Sequence, residues 1–297
     1  MIPLVLLALV VAFLVAQGVL RRRIERGVAR RLPAAADGIV RGAEPISLDV
    51  PGARTGILLL HGFGDTPQSL RLLADALWAR GFAVYAPLLP GHGRSLRAFR
   101  GSSGAQWLDA AREALRALRE RHERVGIAGL SMGGALAALL AAAEPDIAAV
   151  ALLAPYLVPP RRARLVARAP TLVAVLTPYV VGEDPRSIHD PAARDASLAY
   201  GAFAPRQLAG LVSLADRAVA ALPRITVPTL YVQSREDNRL SADGAERSFA
   251  ALGAREKRLD WVTGCGHVIT VDYCWRVVAE RVVEWMESNA RSGTRGP

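Results

Sequence analysis

A glycine-flanked serine lies where a predicted strand turns directly into a predicted helix. Ser131 is the third residue of the Gly-Leu-Ser-Met-Gly segment 129–133, between a run of small and β-branched residues, 124–128, and an alanine-rich stretch, 134–143. A strand that ends in Gly-x-Ser-x-Gly forms a nucleophile elbow, a turn so tight that bulky neighbours are excluded. We therefore predict that Ser131 is a nucleophile. In a chain with 26 glycines the same pattern also arises as a plain glycine turn, so the surrounding residues must decide.

A histidine and an aspartate follow later predicted strands and are suited to activate this serine. Acyl transfer by a hydroxyl needs a general base, a carboxylate that orients the base, and two N–H donors for the oxyanion. His267 lies on a loop between the last predicted strand and the last predicted helix, a position that the other four histidines lack. Asp237 lies just past the preceding strand; Glu236 is its rival, and the shorter aspartate is typical of this turn. The order Ser131, Asp237, His267 is one of the known triad orders.

Two backbone N–H groups are predicted to bind the oxyanion. The His-Gly-Phe-Gly segment 61–64 follows the first strong predicted strand, and its glycines let the N–H of Phe63 face Ser131. The N–H of Met132 is the second predicted donor. A simple strand-exit turn is the alternative interpretation of this segment, and its coincidence with the elbow, acid and base disfavours that alternative. The glycines that these two turns require are Gly62, Gly64, Gly129 and Gly133.

Strands and helices are predicted to alternate from Thr55 onward. Short apolar runs predict strands at 57–60, 83–86, 125–128, 147–153, 229–233 and 258–262. Apolar residues at helical spacing predict helices at 68–80, 105–121, 134–143, 242–252 and 273–289. This alternation predicts the α/β class, with a mostly parallel sheet covered by helices on both faces. A site in such a fold lies at the carboxyl ends of the strands.

An insertion of some 70 residues interrupts this alternation between the strands that end near Ala154 and begin near Val227. It is apolar as well as basic, with nine arginines and five acidic residues in 155–227. Its place and composition predict a lid over the site. A helical insertion that simply packs onto the sheet is the alternative.

The N-terminus is predicted to cross a membrane. Residues 2–20 contain no charge and span about 28 Å as a helix, close to the hydrocarbon thickness of a bilayer. The arginines that follow directly, Arg21, Arg22, Arg23, Arg26, Arg30 and Arg31, predict that the domain lies on the cytoplasmic side, at the inner membrane in a bacterium. A cleaved signal with an exported enzyme is the alternative. Cys265 and Cys274 are expected to be free thiols in a cytoplasmic domain and could pair in an exported one.

The net charge of +10 is concentrated in two segments. Residues 1–44 carry seven arginines and three acidic residues, and the insertion is the second basic segment. A basic collar beside a membrane helix favours contact with anionic lipid headgroups. The sequence lacks a nucleic-acid motif and interleaved aromatic residues, so nucleic acid is not an expected partner. For the insertion, a solvated arginine-rich surface without a partner is an equally suitable interpretation.

From about Thr55 to Glu287 the chain resembles the carboxylesterase and monoacylglycerol lipase branch of the α/β-hydrolase superfamily. The resemblance rests on segments 61–64 (His-Gly-Phe-Gly), 89–95 (Leu-Pro-Gly-His-Gly-Arg-Ser), 129–134 (Gly-Leu-Ser-Met-Gly-Gly) and 266–272 (Gly-His-Val-Ile-Thr-Val-Asp). It implies the α/β-hydrolase fold, a small lid over an acyl pocket, and neither a metal nor an organic cofactor. The predicted membrane helix departs from the usual soluble members of this family.

Together these observations predict a membrane-anchored serine hydrolase of acyl esters, lipid-type and monoacylglycerol-like. The open alternatives are a thioesterase, an acyltransferase or a C–C hydrolase on the same fold, and a catalytically idle membrane-bound binding protein. Acyl-chain length, headgroup and oligomeric state are not determined by the sequence. The predicted divisions are a membrane anchor at 1–20, a basic tether at 21–44, the hydrolase core at 45–154 and 227–290, a lid insertion at 155–226, and a flexible tail at 291–297.

Overall fold

A seven-stranded, mostly parallel sheet positions the site. The computed structural model describes residues 2–182 and 184–291, so the predicted tail at 291–297 lies, apart from its first residue, outside the described residues. The strands are β1 Ile46–Leu48, β2 Thr55–Leu60, β3 Ala83–Ala86, β4 Arg124–Leu130, β5 Ala149–Leu153, β8 Thr229–Ser234 and β9 Lys257–Val262. Their order is β1-β3-β2-β4-β5-β8-β9, in which β1 pairs antiparallel with β3 and the other neighbours are parallel.

Helices cover both faces of this sheet, as the alternating pattern predicts. The flanking helices are α2 Arg71–Ala79, α4 Gly104–Arg121, α5 Met132–Ala143, α9 Pro205–Ala221, α10 Ala242–Ala250 and α11 Trp275–Met286. One apolar core lies under α2 and α11, and the other lies under α4, α5, α9 and α10. The central strands β2, β5 and β8 are buried along their whole length, which explains the almost uninterrupted apolar sequence of β2 and β5.

The insertion predicted as a lid lies between β5 and β8. Besides α9 it contains α6 Arg161–Arg168, α7 Pro170–Leu176, α8 Pro191–Asp195, and a small hairpin of β6 Val180–Val181 with β7 Ala202–Phe203. A short helix, α3 Leu96–Arg100, precedes α4. Helix α9 packs on α5 and α4 of the core, and α6 and α7 pack on α9. The core thus carries the insertion through α9.

The N-terminal segment forms one helix, α1, from Ile2 to Arg31. Among the described residues, it is the helix long and apolar enough to cross a membrane, a test that a signal sequence also passes. The helix does not stop at residue 20, where the sequence predicts the change from anchor to tether. No proline interrupts 21–31, and Pro33 ends the helix because the residue before a proline disfavours the helical conformation. The first 11 of the 24 residues of the predicted tether are therefore helical.

Candidate active site

Ser131 lies in a strained turn between β4 and α5. Its backbone has φ 54° and ψ −113°, in the region that side-chain-bearing residues avoid. The turn is held because Ser131 N–H donates to the Leu153 carbonyl at 2.9 Å, and the Ser131 carbonyl accepts from Tyr156 N–H at 2.9 Å. A Cβ at Gly129 would overlap the carbonyl of Gly133, and one at Gly133 would overlap the carbonyl of Leu60. Glycine is thus required at both positions.

The structure brings Ser131, His267 and Asp237 into one hydrogen-bonded chain. His267 Nε2 lies 2.8 Å from Ser131 Oγ, and His267 Nδ1 lies 2.8 Å from Asp237 Oδ2. Ser131 follows β4, Asp237 follows β8 and His267 follows β9, so parallel pairing places all three loops at the carboxyl edge of the sheet. Each residue is largely withdrawn from solvent, with only 1% of the Asp237 side chain exposed.

Asp237 is held as a carboxylate. Its Oδ1 accepts from the N–H groups of Arg239 at 2.7 Å and Leu240 at 3.0 Å, and its Oδ2 accepts from Gln233 Nε2 at 2.7 Å. Burial opposes the charged form, but the His267 charge and hydrogen bond and the two backbone N–H groups outweigh it and lower the pKa of Asp237. The rival Glu236 accepts instead from Gly264 N–H at 2.7 Å and lies 3.7 Å from His189, so it is not a partner of His267.

The predicted oxyanion donors lie beside the nucleophile. Met132 is the first residue of α5, where backbone N–H groups have no acceptor within the helix. The turn after β2 lies close to Ser131, since a Cβ on Gly62 would lie 3.7 Å from the Ser131 Cβ. Gly64 in this turn has φ 67°, the left-handed region that glycine adopts without strain. Phe63 lines the same cavity as Ser131.

Two histidines near this turn, His61 and His92, are buried and hydrogen-bonded to the backbone. His61 Nε2 accepts from Leu89 N–H at 3.1 Å, and His92 Nδ1 lies 3.1 Å from the Pro90 carbonyl. Burial lowers the pKa of His61 to about 4, and burial together with the neighbouring His61 holds the pKa of His92 well below its usual value, so both are neutral at pH 7. Neither is positioned to activate Ser131.

The loop that carries His267 is fixed at both ends by groups that the sequence did not assign. The buried Asp272 accepts from the backbone N–H groups of Gly266 at 2.7 Å, His189 at 2.8 Å and Asp190 at 2.9 Å. It thereby joins the histidine loop to the insertion. An aspartate five residues beyond the histidine in a Gly-His motif was the available signal.

Cys265 and Cys274 close this loop with a disulfide. The expectation of free thiols is therefore wrong. The residues around His267 fold back so that the two cysteines come within 5.8 Å between their Cα atoms, a separation that a disulfide spans without backbone movement. Their spacing of nine residues gave no hint of this, because it matches no known disulfide framework.

A cavity of about 1000 Å³ is lined by Ser131 and His267. Apolar side chains from the insertion form one wall, among them Ala163, Val166, Phe203, Leu208 and Leu211. The volume is at the upper end of ligand pockets, and such an apolar wall suits an acyl chain.

A buried carboxyl group, Asp65, lines the floor of this cavity. Burial raises the pKa of Asp65 to about 6, against hydrogen bonds from Ser69 and Thr66 and the charge of His267. The sequence did not single out this residue, because a single aspartate after a glycine turn has no distinctive pattern.

Comparison with known proteins defines the class of the molecule. The family model described as serine aminopeptidase, S33 (Hydrolase_4) matches residues 51–273, a range that includes the elbow, Asp237 and His267. The chain belongs to this family and is an α/β-hydrolase of the monoacylglycerol lipase and esterase branch. The fold class and family inferred from the motifs are confirmed.

Several named proteins are similar to this chain over most of its length. A thermostable monoacylglycerol lipase from Bacillus sp. (strain H-257) is 30% identical over 259 residues, covering 85% of this chain and 97% of the relative. A carboxylesterase from Bacillus subtilis (strain 168) is 25% identical over 237 residues, covering 80% and 94%. Among solved structures, one from work on LipS and LipT, two metagenome-derived lipolytic enzymes, has a TM-score of 0.77 at 30% identity, covering 84% of this chain and 100% of that one.

Replacing the elbow glycine, Gly133→Ala, should abolish activity, because the new methyl group must displace the Leu60 carbonyl. We expect a loss of at least about 100-fold in ester hydrolysis and a destabilisation of at least about 1–3 kcal/mol, measured by urea unfolding. Gly210→Ala in α9 is the matched control: its new Cβ meets only ordinary contacts and should be neutral or stabilising. Wild-type activity in Gly133→Ala would contradict the description of the elbow.

Asp65→Asn should change how stability depends on pH. A carboxyl group whose pKa is raised on folding loses stabilisation as pH rises from its unfolded pKa, about 4, through its folded pKa, about 6. The gain in unfolding free energy on Asp65→Asn should therefore grow between pH 4 and 6 and level off at about 3 kcal/mol. Urea unfolding at pH 4.5, 6 and 8 measures it. Asp75→Asn, at a half-exposed aspartate of α2, is the matched control for the substitution itself. If the difference in unfolding free energy between Asp65→Asn and wild type is the same at all three pH values, the pKa of Asp65 is not raised on folding.

Proposed function

We propose that this chain is a serine hydrolase that cleaves carboxylic esters of the lipid type, such as monoacylglycerols, through an acyl-enzyme on Ser131. The observation that carries the proposal is the hydrogen-bonded chain from Ser131 through His267 to Asp237 at the base of a large, partly apolar cavity. The relatives named monoacylglycerol lipase and carboxylesterase support the ester class.

In the proposed mechanism, Ser131 Oγ attacks the ester carbonyl while His267 Nε2 takes the hydroxyl proton. Asp237 keeps the other ring nitrogen protonated and favours the imidazolium that forms. The N–H groups of Phe63 and Met132 bind the oxyanion. His267 then passes its proton to the leaving alkoxide, and the acyl group remains on Ser131. Water, activated by the same histidine, releases the carboxylic acid and restores the serine.

The rival activities on this fold use the same groups. A thioesterase, an acyltransferase and a C–C hydrolase differ in the bond attacked or in the acceptor that replaces water, so a substrate panel must separate them. An idle binding protein has no physical need for a serine held at positive φ against an aligned base. The strained backbone of Ser131 therefore favours an enzyme over that alternative.

We also propose that α1 is a membrane anchor that stays attached to the enzyme. Its second half packs on the domain through Ile24 and Val28, and Leu32, just past its end, is buried, which supports retention of the helix. For the remaining chain we propose the predicted divisions: a basic segment at 21–44, the core at 45–154 and 227–290, and the lid insertion at 155–226.

The side of the membrane on which the domain lies is a separate question. The arginines after Leu20 predict the cytoplasmic side, whereas the disulfide between Cys265 and Cys274 favours a compartment that permits disulfides. We propose the latter, because cytoplasmic reductants keep thiols reduced.

Ser131→Ala should abolish ester hydrolysis without unfolding the domain, because Gly129 and Gly133 set the geometry of the turn. We expect kcat/KM for a short soluble ester and for a monoacylglycerol to fall at least about 10³-fold, with an unchanged thermal midpoint. Ser213→Ala, an exposed serine of α9, is the matched control and should retain full activity. Activity of Ser131→Ala within tenfold of wild type would exclude Ser131 as the nucleophile.

The orientation can be tested through the two cysteines and a reporter. Protein unfolded without reductant should expose no reactive thiol, and reduction should release two. A reporter active only outside the cytoplasm, fused after Pro297, should be active. If both thiols are free and a reporter active only in the cytoplasm works, the domain lies on the cytoplasmic side, as the arginines predict.

A further inference from the structure

We propose that the lid and α1 form one bilayer-facing surface, and that lipid substrate enters the cavity through it directly from the membrane leaflet. This inference rests on the proposed function, in particular on the membrane anchor and the lipid-type ester. The bilayer face is defined by five exposed apolar side chains of the insertion, Leu165, Leu172, Val175, Leu176 and Val181.

Helix α1 is docked rigidly on the domain. The half-buried or buried residues of its second half recur at helical spacing, as a stripe at Gln17, Arg21, Ile24, Val28 and, just past its end, Leu32. The stripe shows that one face of the helix lies along the protein for about 22 Å.

Hydrogen bonds fasten this contact to the insertion itself. Gln17 Nε2 donates to the Leu176 carbonyl at 3.0 Å, and the Tyr179 hydroxyl donates to Glu25 Oε1 at 2.7 Å. At the end of the helix, the Arg31 guanidinium donates to the carbonyls of Ala199 and Tyr200. The lid therefore has a fixed height relative to the membrane helix.

That height places α7 at the membrane interface. Gln17 precedes Arg21, the first charged residue, by four positions, about 6 Å along the axis. Because the arginines belong at headgroup level, Leu176 beside Gln17 lies about 6 Å toward the hydrocarbon. An amphipathic helix at an interface typically reaches about 5–10 Å into that boundary.

The exposed side chains suit this environment. Leu172 and Leu176 are each 63% exposed, and with Val175 they occupy one face of α7 at positions i, i+3 and i+4. Leu165 in α6 is 69% exposed, and Val181 in the hairpin is 68% exposed. An apolar surface of this extent on a soluble protein marks an interaction site.

The charges around these side chains favour a lipid surface over a second protein. Arg161 and Arg168 of α6 are exposed, and within the part of the chain that the structure describes neither forms an ion pair, whereas Arg164 binds Asp216 at 2.8 Å. Exposed arginines beside apolar side chains match phosphates above acyl chains. The bilayer face also adjoins α1, the helix that is long and apolar enough to cross a membrane. The two apolar surfaces are therefore continuous.

The cavity opens toward this face. Its lining includes Val181 of the bilayer face, Val166 and Arg162 of α6, and Arg31 at the end of α1. Of these, Arg31, Arg162 and Val181 are also exposed, so they lie at the mouth. An acyl chain can thus pass from the leaflet to Ser131 along apolar walls while its headgroup stays near arginines.

The surface can be located independently of activity, in the full chain reconstituted in phosphatidylcholine vesicles. With the native cysteines in their disulfide, Leu176→Cys can be labelled with an environment-sensitive fluorophore. The matched control is Ala117→Cys, an exposed position near the end of α4. This end of α4 leads into the start of β4, whereas Ser131 follows the end of β4. We expect lipids with a nitroxide near the headgroup to quench the label at position 176 at least threefold more than the label at 117. Equal quenching, or ready quenching of the 176 label by aqueous iodide, would overturn the proposal.

Substrate entry is tested with Leu172→Asp and Leu176→Asp, neither of which lines the cavity. Hydrolysis of a long-chain monoacylglycerol in vesicles should fall at least tenfold, and that of a short soluble ester should stay within twofold. Val219→Asp, an exposed valine near the end of α9, is the control and should change neither rate. Equal losses on both substrates, or no loss on vesicles, would contradict leaflet entry. If wild type hydrolyses neither ester, the proposed function fails while the quenching experiment still reports on the surface.

Discussion

The site depends on one reversal of the chain, in which β4 passes into α5 through the single residue Ser131. A residue with a side chain at φ 54° costs on the order of 1–3 kcal/mol, so the surroundings must hold it there. Two backbone hydrogen bonds, to Leu153 and from Tyr156, and two glycines that admit no methyl group do so. The strained turn lifts the hydroxyl out of the sheet edge and starts α5 at the next residue. The same geometry therefore places both the proposed nucleophile, Ser131, and one proposed oxyanion donor, the N–H of Met132.

His267 and Asp237, the proposed base and its carboxylate, reach this turn through the sheet, and further contacts then fix them. Asp237 has its two oxygens occupied by Gln233, Arg239, Leu240 and His267. The histidine loop is closed by the disulfide and bound to the insertion through Asp272. Because the insertion is in turn hydrogen-bonded to α1, the histidine loop, the insertion and α1 belong to one connected structure. A substrate delivered from the leaflet would meet a site that is already assembled.

The sequence predicted the parts of this arrangement that depend on strand ends. Ser131 and Asp237 follow strands with readable apolar runs, and His267 follows the more polar last strand. In a parallel sheet such positions converge on one edge. The contacts that hold these groups were not predictable. Asp272, whose one signal was its place five residues beyond the histidine, bonds to His189 and Asp190, which lie more than 80 positions away in the sequence. Gln233 lies four residues before Asp237, and its pattern does not differ from that of an ordinary strand residue. The disulfide depends on how tightly the histidine loop folds back, which local spacing does not determine. The course of α1 past residue 20 was hidden by its change from apolar to basic residues, although no residue before Pro33 ends a helix.

The most direct test of the central claim is detection of the acyl-enzyme. The full chain is mixed with an excess of a p-nitrophenyl ester, quenched in acid within milliseconds and analysed by intact mass and peptide mapping. The account predicts an adduct with the mass of the acyl group on the peptide that contains Ser131, formed in step with a burst of nitrophenol and lost as hydrolysis proceeds. Turnover without any adduct, or an adduct on a different residue, would contradict it.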